Sequence, residues 1–167
     1  MPHLDELYRS ARRMLADPVR AQDLVQEVYL RAWRSFHTFD GGNCRAWLFK
    51  ILMNCVHDER NRVRKAPVVW ESEEILDRQE APPPVRVELA DKEILTALDD
   101  LPEPYRDVVL LADVQEFSYK EIAAMLDIRM GTVMSRLSRG RAALRERLAD
   151  QAGEYGIGSQ AQGGPQA

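Results

Sequence analysis

The fold is decided by the stretch SYKEIAAMLDIRMGTVMSRLSR, which occupies residues 118–139. Ser118 is followed three residues later by Glu121, the spacing of a capping box in which two side chains satisfy backbone N–H groups at a helix start. Residues 127–130 predict a turn, and a second helix is expected to begin near Gly131. The apolar residues of the first helix recur at helical spacing and predict its inward face: Tyr119, Ile122 and Leu126. Two helices joined in this way are typical of a helix-turn-helix.

The second helix of this pair has two faces with different chemistry. Its apolar stripe comprises Val133, Leu137, Leu144 and Leu148, and its polar face carries Thr132, Ser135, Arg136 and Arg139. An arginine can donate two hydrogen bonds to a guanine edge, hydroxyl groups can bind bases or phosphates, and Gly131 lets the backbone approach DNA. The alternative is a helical hairpin whose arginines merely extend into water. The capping box, the turn, the glycine and the arginine-bearing helix face occur together, and this combination favours a helix that reads the major groove of duplex DNA.

Three further amphipathic patterns occupy residues 1–66. Asp17-Pro18 predicts a helix start, because aspartate can cap a helix and proline suits its first position. Asp40-Gly41-Gly42-Asn43 predicts a break, because glycine permits turns that other residues resist. The three apolar stripes are Leu4, Leu7, Tyr8, Ala11, Met14 and Leu15, then Ala21, Leu24, Val25, Val28, Ala32 and Phe36, and finally Trp47, Leu48, Ile51, Leu52, Cys55 and Val56. Three helices this close in sequence can bury one small core.

The helical pattern fails between these stripes and the helix-turn-helix. Residues 67–88 combine acidic side chains with the prolines 82–84, which predicts a flexible, extended acidic linker. Helical spacing resumes from residue 89, whereas residues 151–167 have no periodicity and predict a disordered tail. The predicted fold class is therefore all-α, with two small helical domains, residues 1–66 and 89–150, joined by the linker.

The net charge of −4 conceals a segregation of charge along the chain. Residues 1–66 carry 12 basic and 8 acidic groups, residues 67–100 carry 3 basic and 10 acidic groups, and residues 129–150 carry 6 basic and 2 acidic groups. Because charges are screened over roughly 8 Å, a local basic patch can attract phosphate despite distant acids. There is no run of about 18 apolar residues and no apolar leader, so we expect no membrane insertion. The two cysteines, Cys44 and Cys55, fit a reduced cytoplasmic setting.

Two separate sets of motifs resemble bacterial sigma factors, in particular the extracytoplasmic-function (ECF) group. Leu101-Pro102, Tyr105-Arg106, FSYKEIA at residues 117–123 and GTVMSRL at residues 131–137 are similar to the fourth conserved domain of that family. DLVQEVYLRAW at residues 23–33 and AWLFKI at residues 46–51 are similar to its second domain. The motifs stand in the family's order, and a short linker replaces a third domain, as in the ECF group. The resemblance implies a non-enzymatic initiation factor that binds core RNA polymerase and promoter DNA and needs no cofactor.

The resemblance also implies three sets of binding residues. The positions that match the family's polymerase-binding surface are Asp23, Leu24, Gln26 and Glu27, although an ordinary amphipathic helix with an acidic outer face would carry the same pattern. The positions that match its −10 element-binding residues are Phe39, Asn43, Asn54, Arg60, Arg62 and Arg64. The positions that match its −35 element-binding residues are Arg129, Thr132, Ser135, Arg136, Ser138 and Arg139.

The chemistry of the −10 set suits a melted promoter strand. A base that leaves the stack needs an aromatic or apolar wall and amide groups for its edge, and arginines bind the adjacent phosphates. Phe39 has an alternative interpretation of similar weight, as a core aromatic that closes its helix. Three short stretches, residues 4–13, 36–39 and 131–141, are most similar to a redox-stress subgroup whose members are held by a zinc-containing anti-sigma protein. That similarity implies an anti-sigma partner and stress-response genes.

Two other classes of function compete with this interpretation. His57-Asp58-Glu59 suggests a metal-dependent phosphohydrolase, but a catalytic metal needs at least three placed ligands, and an exposed helix face is favoured. Cys44 and Cys55 with His57 lack the paired spacing of a zinc site, so we expect structural or free thiols. The resemblance also implies that the loop Asp40–Arg45 takes part in capturing a base. A dimeric operator-binding regulator would have no need for a basic helix beside such a loop in its other domain.

Overall fold

The computed structural model describes residues 1–66 and 89–154, and the secondary structure within these ranges is helical throughout, which confirms the predicted all-α class. The helices are α1 (Leu4–Leu15), α2 (Pro18–Arg34), α3 (Cys44–Lys65), α4 (Leu89–Asp99), α5 (Glu103–Val109), α6 (Tyr119–Leu126) and α7 (Met130–Glu154). A 3₁₀ turn occupies Phe36–Thr38, and a π-helical turn, Leu110–Val114, continues α5. None of the described helices is both long and apolar enough to cross a membrane.

The chain divides into two compact units between Lys92 and Glu93. The predicted linker, residues 67–88, and the last thirteen residues of the predicted tail, 155–167, lie outside the described residues. The start of that tail differs from the prediction, because α7 continues to Glu154. Gln151 and Ala152 are compatible with a helix, so the loss of apolar periodicity after residue 150 does not by itself end it.

The first unit is a three-helix core in which α1 packs against α2 and α3, and α2 packs against α3. The start of α2 is the predicted one: Asp17 Oδ1 accepts hydrogen bonds from the backbone N–H of Val19 at 2.9 Å and of Arg20 at 3.2 Å, and Pro18 takes the first helical position. The fully buried residues come from all three predicted stripes and include Leu7, Ala11, Val28, Leu52 and Val56. Three apolar helix faces therefore close one core.

Side-chain contacts fix the N-terminal helix of this unit to the other two. Arg45 Nε donates to Glu6 Oε2 at 2.6 Å, and the Arg45 guanidinium lies 5.3 Å from the ring centroid of Phe49. The hydrogen bond from Arg45 lowers the pKa of Glu6 below its ordinary value. The Tyr29 hydroxyl donates to the carbonyl oxygen of Pro2. These contacts hold the start of α1 against the first turn of α3 and against α2.

The second unit is built around α7, which packs against α5 and α6. The crossing with α5 is close at Gly140, where an added Cβ would lie 2.8 Å from Val109 Cγ2 and 3.3 Å from Tyr105 Cβ. Val133 and Leu137 of α7 are buried, as their spacing predicts. A glycine at residue 140 therefore sets the distance at which the two helices meet.

The helix-turn-helix forms where the sequence predicts it. Ser118 Oγ accepts from the Glu121 N–H at 3.2 Å, and Glu121 Oε2 accepts from the Ser118 N–H at 2.9 Å, which completes the capping box. Asp127 ends α6 in the left-handed conformation, with φ of 53°. The inward face of α6 differs in part from the prediction: Ile122 and Met125 are buried, whereas Tyr119 and Leu126 are half-buried. The eight-residue helix therefore turns its buried face toward Met125.

Candidate functional site

The predicted −35 reading face lies on the solvent side of α7. Ser135, Ser138 and Arg139 are exposed there, and an added Cβ at Gly131 would meet no atom within 4 Å. Thr132 and Arg136 are half-exposed beside them, and Arg129 is exposed just before the helix. The structure thus brings all six predicted residues to one helix and the turn that precedes it: Arg129, Thr132, Ser135, Arg136, Ser138 and Arg139.

The arginines of α7 differ in how they are held. Arg141 Nε and Nη2 donate to the two carboxylate oxygens of Asp113 at 3.0 and 2.6 Å, and this hydrogen-bonded pair raises the pKa of Arg141. Arg136 and Arg139 form no ion pair with any residue in the described ranges. Their guanidinium groups can therefore donate to a nucleic acid without first breaking an internal salt bridge. The sequence pattern does not separate Arg141 from these two, because Asp113 is distant along the chain.

The predicted polymerase-binding residues lie on α2 but differ in exposure. Asp23 and Gln26 are exposed, and Glu27 is half-buried. Leu24 is only 7% exposed and belongs to the core of the first unit, so its side chain supports the surface from beneath. The sequence pattern does not single out Leu30 and Trp33, which are 51% and 84% exposed and follow Gln26 at helical spacing on the same side of α2. This face therefore combines carboxylate, amide and apolar groups.

The half-buried Glu27 belongs to a network that links α2 to α3. Arg31 Nε donates to Glu27 Oε1 at 2.7 Å, and Arg31 Nη1 donates to Asp58 Oδ2 at 2.8 Å. These hydrogen bonds, that with Glu27 first, raise the pKa of Arg31. Cys55 lines the same groove and is buried, and its burial raises the pKa of the thiol to about 11. The thiol is therefore neutral at physiological pH, and the network carries one positive and two negative charges.

The predicted base-capturing loop is fixed at both ends. Phe39 is half-exposed, with its ring centroid 5.1 Å from that of Trp47 and 6.1 Å from that of Phe36. Part of its ring therefore packs in an aromatic cluster and part faces solvent, which is compatible with either interpretation of Phe39. Asn43 is exposed, and its side-chain oxygen accepts from the Ala46 N–H at 3.1 Å, so it also caps α3. Gly41 lies between them with φ of 81°, a conformation that favours glycine.

The other four residues of the predicted −10 set lie along α3. Asn54 and Arg64 are exposed. Arg62 is exposed as well, and its Nη2 donates to Glu59 Oε1 at 2.9 Å. Arg60 is placed differently: it is half-buried, and its Nη2 donates to the carbonyl oxygen of Met14 at 3.1 Å. We therefore assign Arg60 a structural contact that links α3 to the end of α1, in addition to the phosphate contact predicted for it.

The His57-Asp58-Glu59 triplet makes contacts within the protein. His57 Nε2 lies 2.9 Å from Asn61 Nδ2, Asp58 accepts from Arg31, and Glu59 accepts from Arg62. Within the described ranges, no group of three or more histidine, cysteine, aspartate or glutamate residues is arranged to hold a metal ion. The three side chains thus contact Arg31, Asn61 and Arg62 on the outer side of α3.

Comparisons with known proteins match both units. Residues 1–66 match the family described as Sigma-70 region 2, and residues 91–144 match Sigma-70, region 4. The ECF RNA polymerase sigma factor EcfG of Rhodopseudomonas palustris is 35% identical over 139 residues, which cover 82% of this chain and 76% of that protein. The chain belongs to the ECF RNA polymerase sigma factors.

Two further relatives extend this comparison. The ECF sigma factor SigE of Mycolicibacterium smegmatis is 34% identical over 91% of this chain, which spans only 61% of that longer protein. The sigma factor RpoE of Bartonella quintana, solved in complex with the anti-sigma factor NepR, is 32% identical with a TM-score of 0.71, covering 87% of this chain and 91% of that one. As a sigma factor, the protein is a non-enzymatic initiation factor that acts with core RNA polymerase and promoter DNA.

Proposed function

We propose that this sigma factor binds its promoter at two elements while it is bound to core RNA polymerase through α2. The second unit binds the −35 element as duplex DNA, and the first unit binds the melted −10 element. The observation that carries this proposal is the solvent face of α7, where hydroxyl groups lie beside Arg136 and Arg139, two arginines that form no ion pair within residues 1–66 and 89–154. An arginine of this kind gains charge-assisted hydrogen bonds to guanine or phosphate at little internal cost.

The second unit contacts the −35 element in two ways, through base edges and through the DNA backbone. Arg136 and Arg139 supply donors for guanine edges, and Ser135 and Ser138 serve bases or phosphates beside them. Arg129 and Thr132 stand at the N-terminus of α7, where backbone N–H groups also favour phosphate. The two arginines therefore supply most of the sequence specificity, and the start of α7 fixes the orientation of the helix on the DNA.

The first unit binds the −10 element through the loop before α3 and through the outer side of that helix. Phe39 offers a partly exposed ring for stacking with a displaced base, and the amides of Asn43 and Asn54 can bind its edge. Arg60, Arg62 and Arg64 attract the phosphates of the same strand. Because the loop is held at both ends, it captures a base with little loss of its own conformational freedom.

The polymerase-binding surface consists of Asp23, Gln26 and Glu27 above the buried Leu24. We also propose that an anti-sigma protein controls this sigma factor, which is supported by the similarity to a sigma factor solved with its anti-sigma partner. Assignment to the redox-stress subgroup, with a zinc-containing anti-sigma protein, stays a prediction. The protein would act in the cytoplasm, where polymerase and promoter DNA are found.

Comparing DNA binding with and without core polymerase tests the proposal. A labelled promoter fragment is titrated with the sigma factor alone and with the reconstituted holoenzyme, and each binding mixture is analysed for polymerase. We expect sequence-specific binding only with polymerase. Tight, dimeric, sequence-specific binding by the protein alone would instead support an operator-binding regulator.

A further inference from the structure

The groove between α2 and α3 contains an arginine that joins the two helices. Arg31 donates hydrogen bonds to Glu27 on its own helix and to Asp58 on the neighbouring helix. Asp58 lies 27 residues after Arg31 in the chain. The groove is also lined by Asp23 and Leu24 of the proposed polymerase-binding surface. The arginine therefore lies in the same groove as Asp23 and Glu27 of that surface.

The exposure of the network indicates that stabilising the fold is not its main effect. The side chains of Arg31, Glu27 and Asp58 are 39%, 41% and 58% exposed. Ion pairs at this exposure contribute little to folding, because solvent screens them and the long side chains lose conformational freedom when they pair. The same pairing has a definite geometric consequence, because a flexible glutamate is held in one position.

The network leaves part of the glutamate available to a partner. Arg31 Nε binds only Oε1 of Glu27, and a carboxylate has further acceptor capacity at its second oxygen. The floor beneath consists of Leu24 and Cys55, both buried, so Arg31 rests on a packed surface. A carboxylate fixed on such a surface meets a cationic or amide partner without first losing rotamer freedom.

We propose that Arg31 is a positioning residue for polymerase binding: it holds the Glu27 carboxylate in the orientation that contacts core RNA polymerase, with Asp58 fixing the guanidinium from α3. This inference rests on the proposed function, which assigns Glu27 to the polymerase-binding surface. Arg31 itself acts through Glu27, and its removal leaves the carboxylate present but mobile.

The first arm of the test measures affinity for core RNA polymerase by titrating the labelled full-length protein. Arg31→Met keeps the aliphatic stem and removes the donors, and we expect about a two- to tenfold weaker affinity, the cost of ordering one long side chain on binding. Arg31→Lys keeps the charge and one donor and should recover part of the loss. Arg12→Met, which removes the same charge from an exposed position on α1, is the matched control and should bind like the wild type.

The second arm separates positioning from a merely structural role. In a Glu27→Ala background, Arg31→Met should cause no further loss of polymerase affinity, because the group that it positions is gone. An equal further loss in that background would overturn the inference, and so would wild-type affinity of Arg31→Met. If Arg31→Met fails to fold, Asp58→Asn with and without Glu27→Ala gives the same comparison from the other end of the network.

The two arms also separate this inference from the function on which it rests. If Glu27→Ala weakens polymerase binding and Arg31→Met does not, the surface assignment stands and the positioning role is wrong. If Glu27→Ala leaves polymerase affinity unchanged, the proposed polymerase-binding surface itself is wrong, and the inference falls with it.

Discussion

The two units hold their charged side chains in different ways. Beside the proposed polymerase-binding surface of the first unit, Arg31 is paired with two carboxylates, Glu27 and Asp58. In the second unit, Arg141 is paired with Asp113, whereas Arg136 and Arg139 on the reading face have no ion pair in the described ranges. A surface of fixed charges suits a protein partner with a defined counterpart, whereas unpaired cations suit a polyanion. The difference predicts that variants of the two units will fail in separate assays.

The largest effect is expected from Glu27→Lys. The substitution reverses a charge and places an ammonium group beside Arg31, so both the carboxylate contact and the network are lost. We expect a loss of polymerase affinity on the order of 2–5 kcal/mol, the range for a hydrogen-bonded charge pair at an interface. Competition binding to core polymerase measures it, with the exposed Asp5→Lys on α1 as a charge-matched control. If Glu27→Lys binds core polymerase with wild-type affinity, the first unit does not bind polymerase through this carboxylate, and the proposed difference between the units is wrong.

A smaller loss, in a different assay, is expected from Arg136→Ala and Arg139→Ala. Each should weaken −35 binding by the holoenzyme by roughly 1–3 kcal/mol and relax its sequence preference, if the contact with guanine is bidentate. Arg141→Ala is the control on the same helix, because Arg141 is already paired with Asp113. It should leave promoter preference intact and change the stability of the second unit little, because the pair is exposed to solvent. Full promoter selectivity in both Arg136→Ala and Arg139→Ala would show that the reading residues are wrongly assigned.

The features predicted from the sequence are those that depend on neighbouring residues. The capping box at Ser118 and the cap at Asp17 involve partners within three residues, so spacing alone reveals them. The exposed residues of the reading face follow for the same reason from helical periodicity. The pairs of Arg31 with Asp58 and Arg141 with Asp113 join residues 27 and 28 positions apart, which only the packed helices bring together.

The sequence predicts the helices more completely than it predicts which of their polar side chains are buried. The sequence pattern predicts a phosphate contact for Arg60 and does not reveal the hydrogen bond that its guanidinium also donates to the Met14 carbonyl of α1. The π-helical turn at Leu110–Val114 has no distinct sequence pattern, since its residues also fit an α-helix. Tertiary packing thus decides which polar side chains of a predicted helix remain available.

A third comparison contrasts two glycines of α7. Gly140→Ala places a methyl group 2.8 Å from Val109 Cγ2 and should destabilise the second unit by about 1–2 kcal/mol, since overpacking exceeds the gain in helix propensity. Gly131→Ala meets no atom within 4 Å and should leave stability equal or higher. Thermal unfolding of the two variants measures the difference. Equal melting temperatures would show that α5 and α7 are not in close contact at residue 140.

The smallest effect at neutral pH concerns Cys55 in the first unit. Burial raises the pKa of this thiol to about 11, above its ordinary value near 9, so the folded state retains a proton that the unfolded chain releases. The contribution is fully present below about pH 9, and stability should fall as the pH rises from about 9 to about 11. Denaturation of wild type and Cys55→Ala across this range measures it, and parallel pH profiles would contradict the assignment.

A thiol reagent at pH 8 should modify the half-exposed Cys44 first.

The central claim is that two separate surfaces act together in one initiation factor, and sequencing of transcript starts from reconstituted holoenzyme tests it most directly. With the wild-type protein, core polymerase should start transcription at discrete sites that share two upstream elements at a fixed spacing. Arg139→Ala should shift or broaden the choice of upstream element, and Glu27→Lys should abolish the starts at limiting protein. Starts identical to those of core polymerase alone, with the wild-type protein present, would contradict the account.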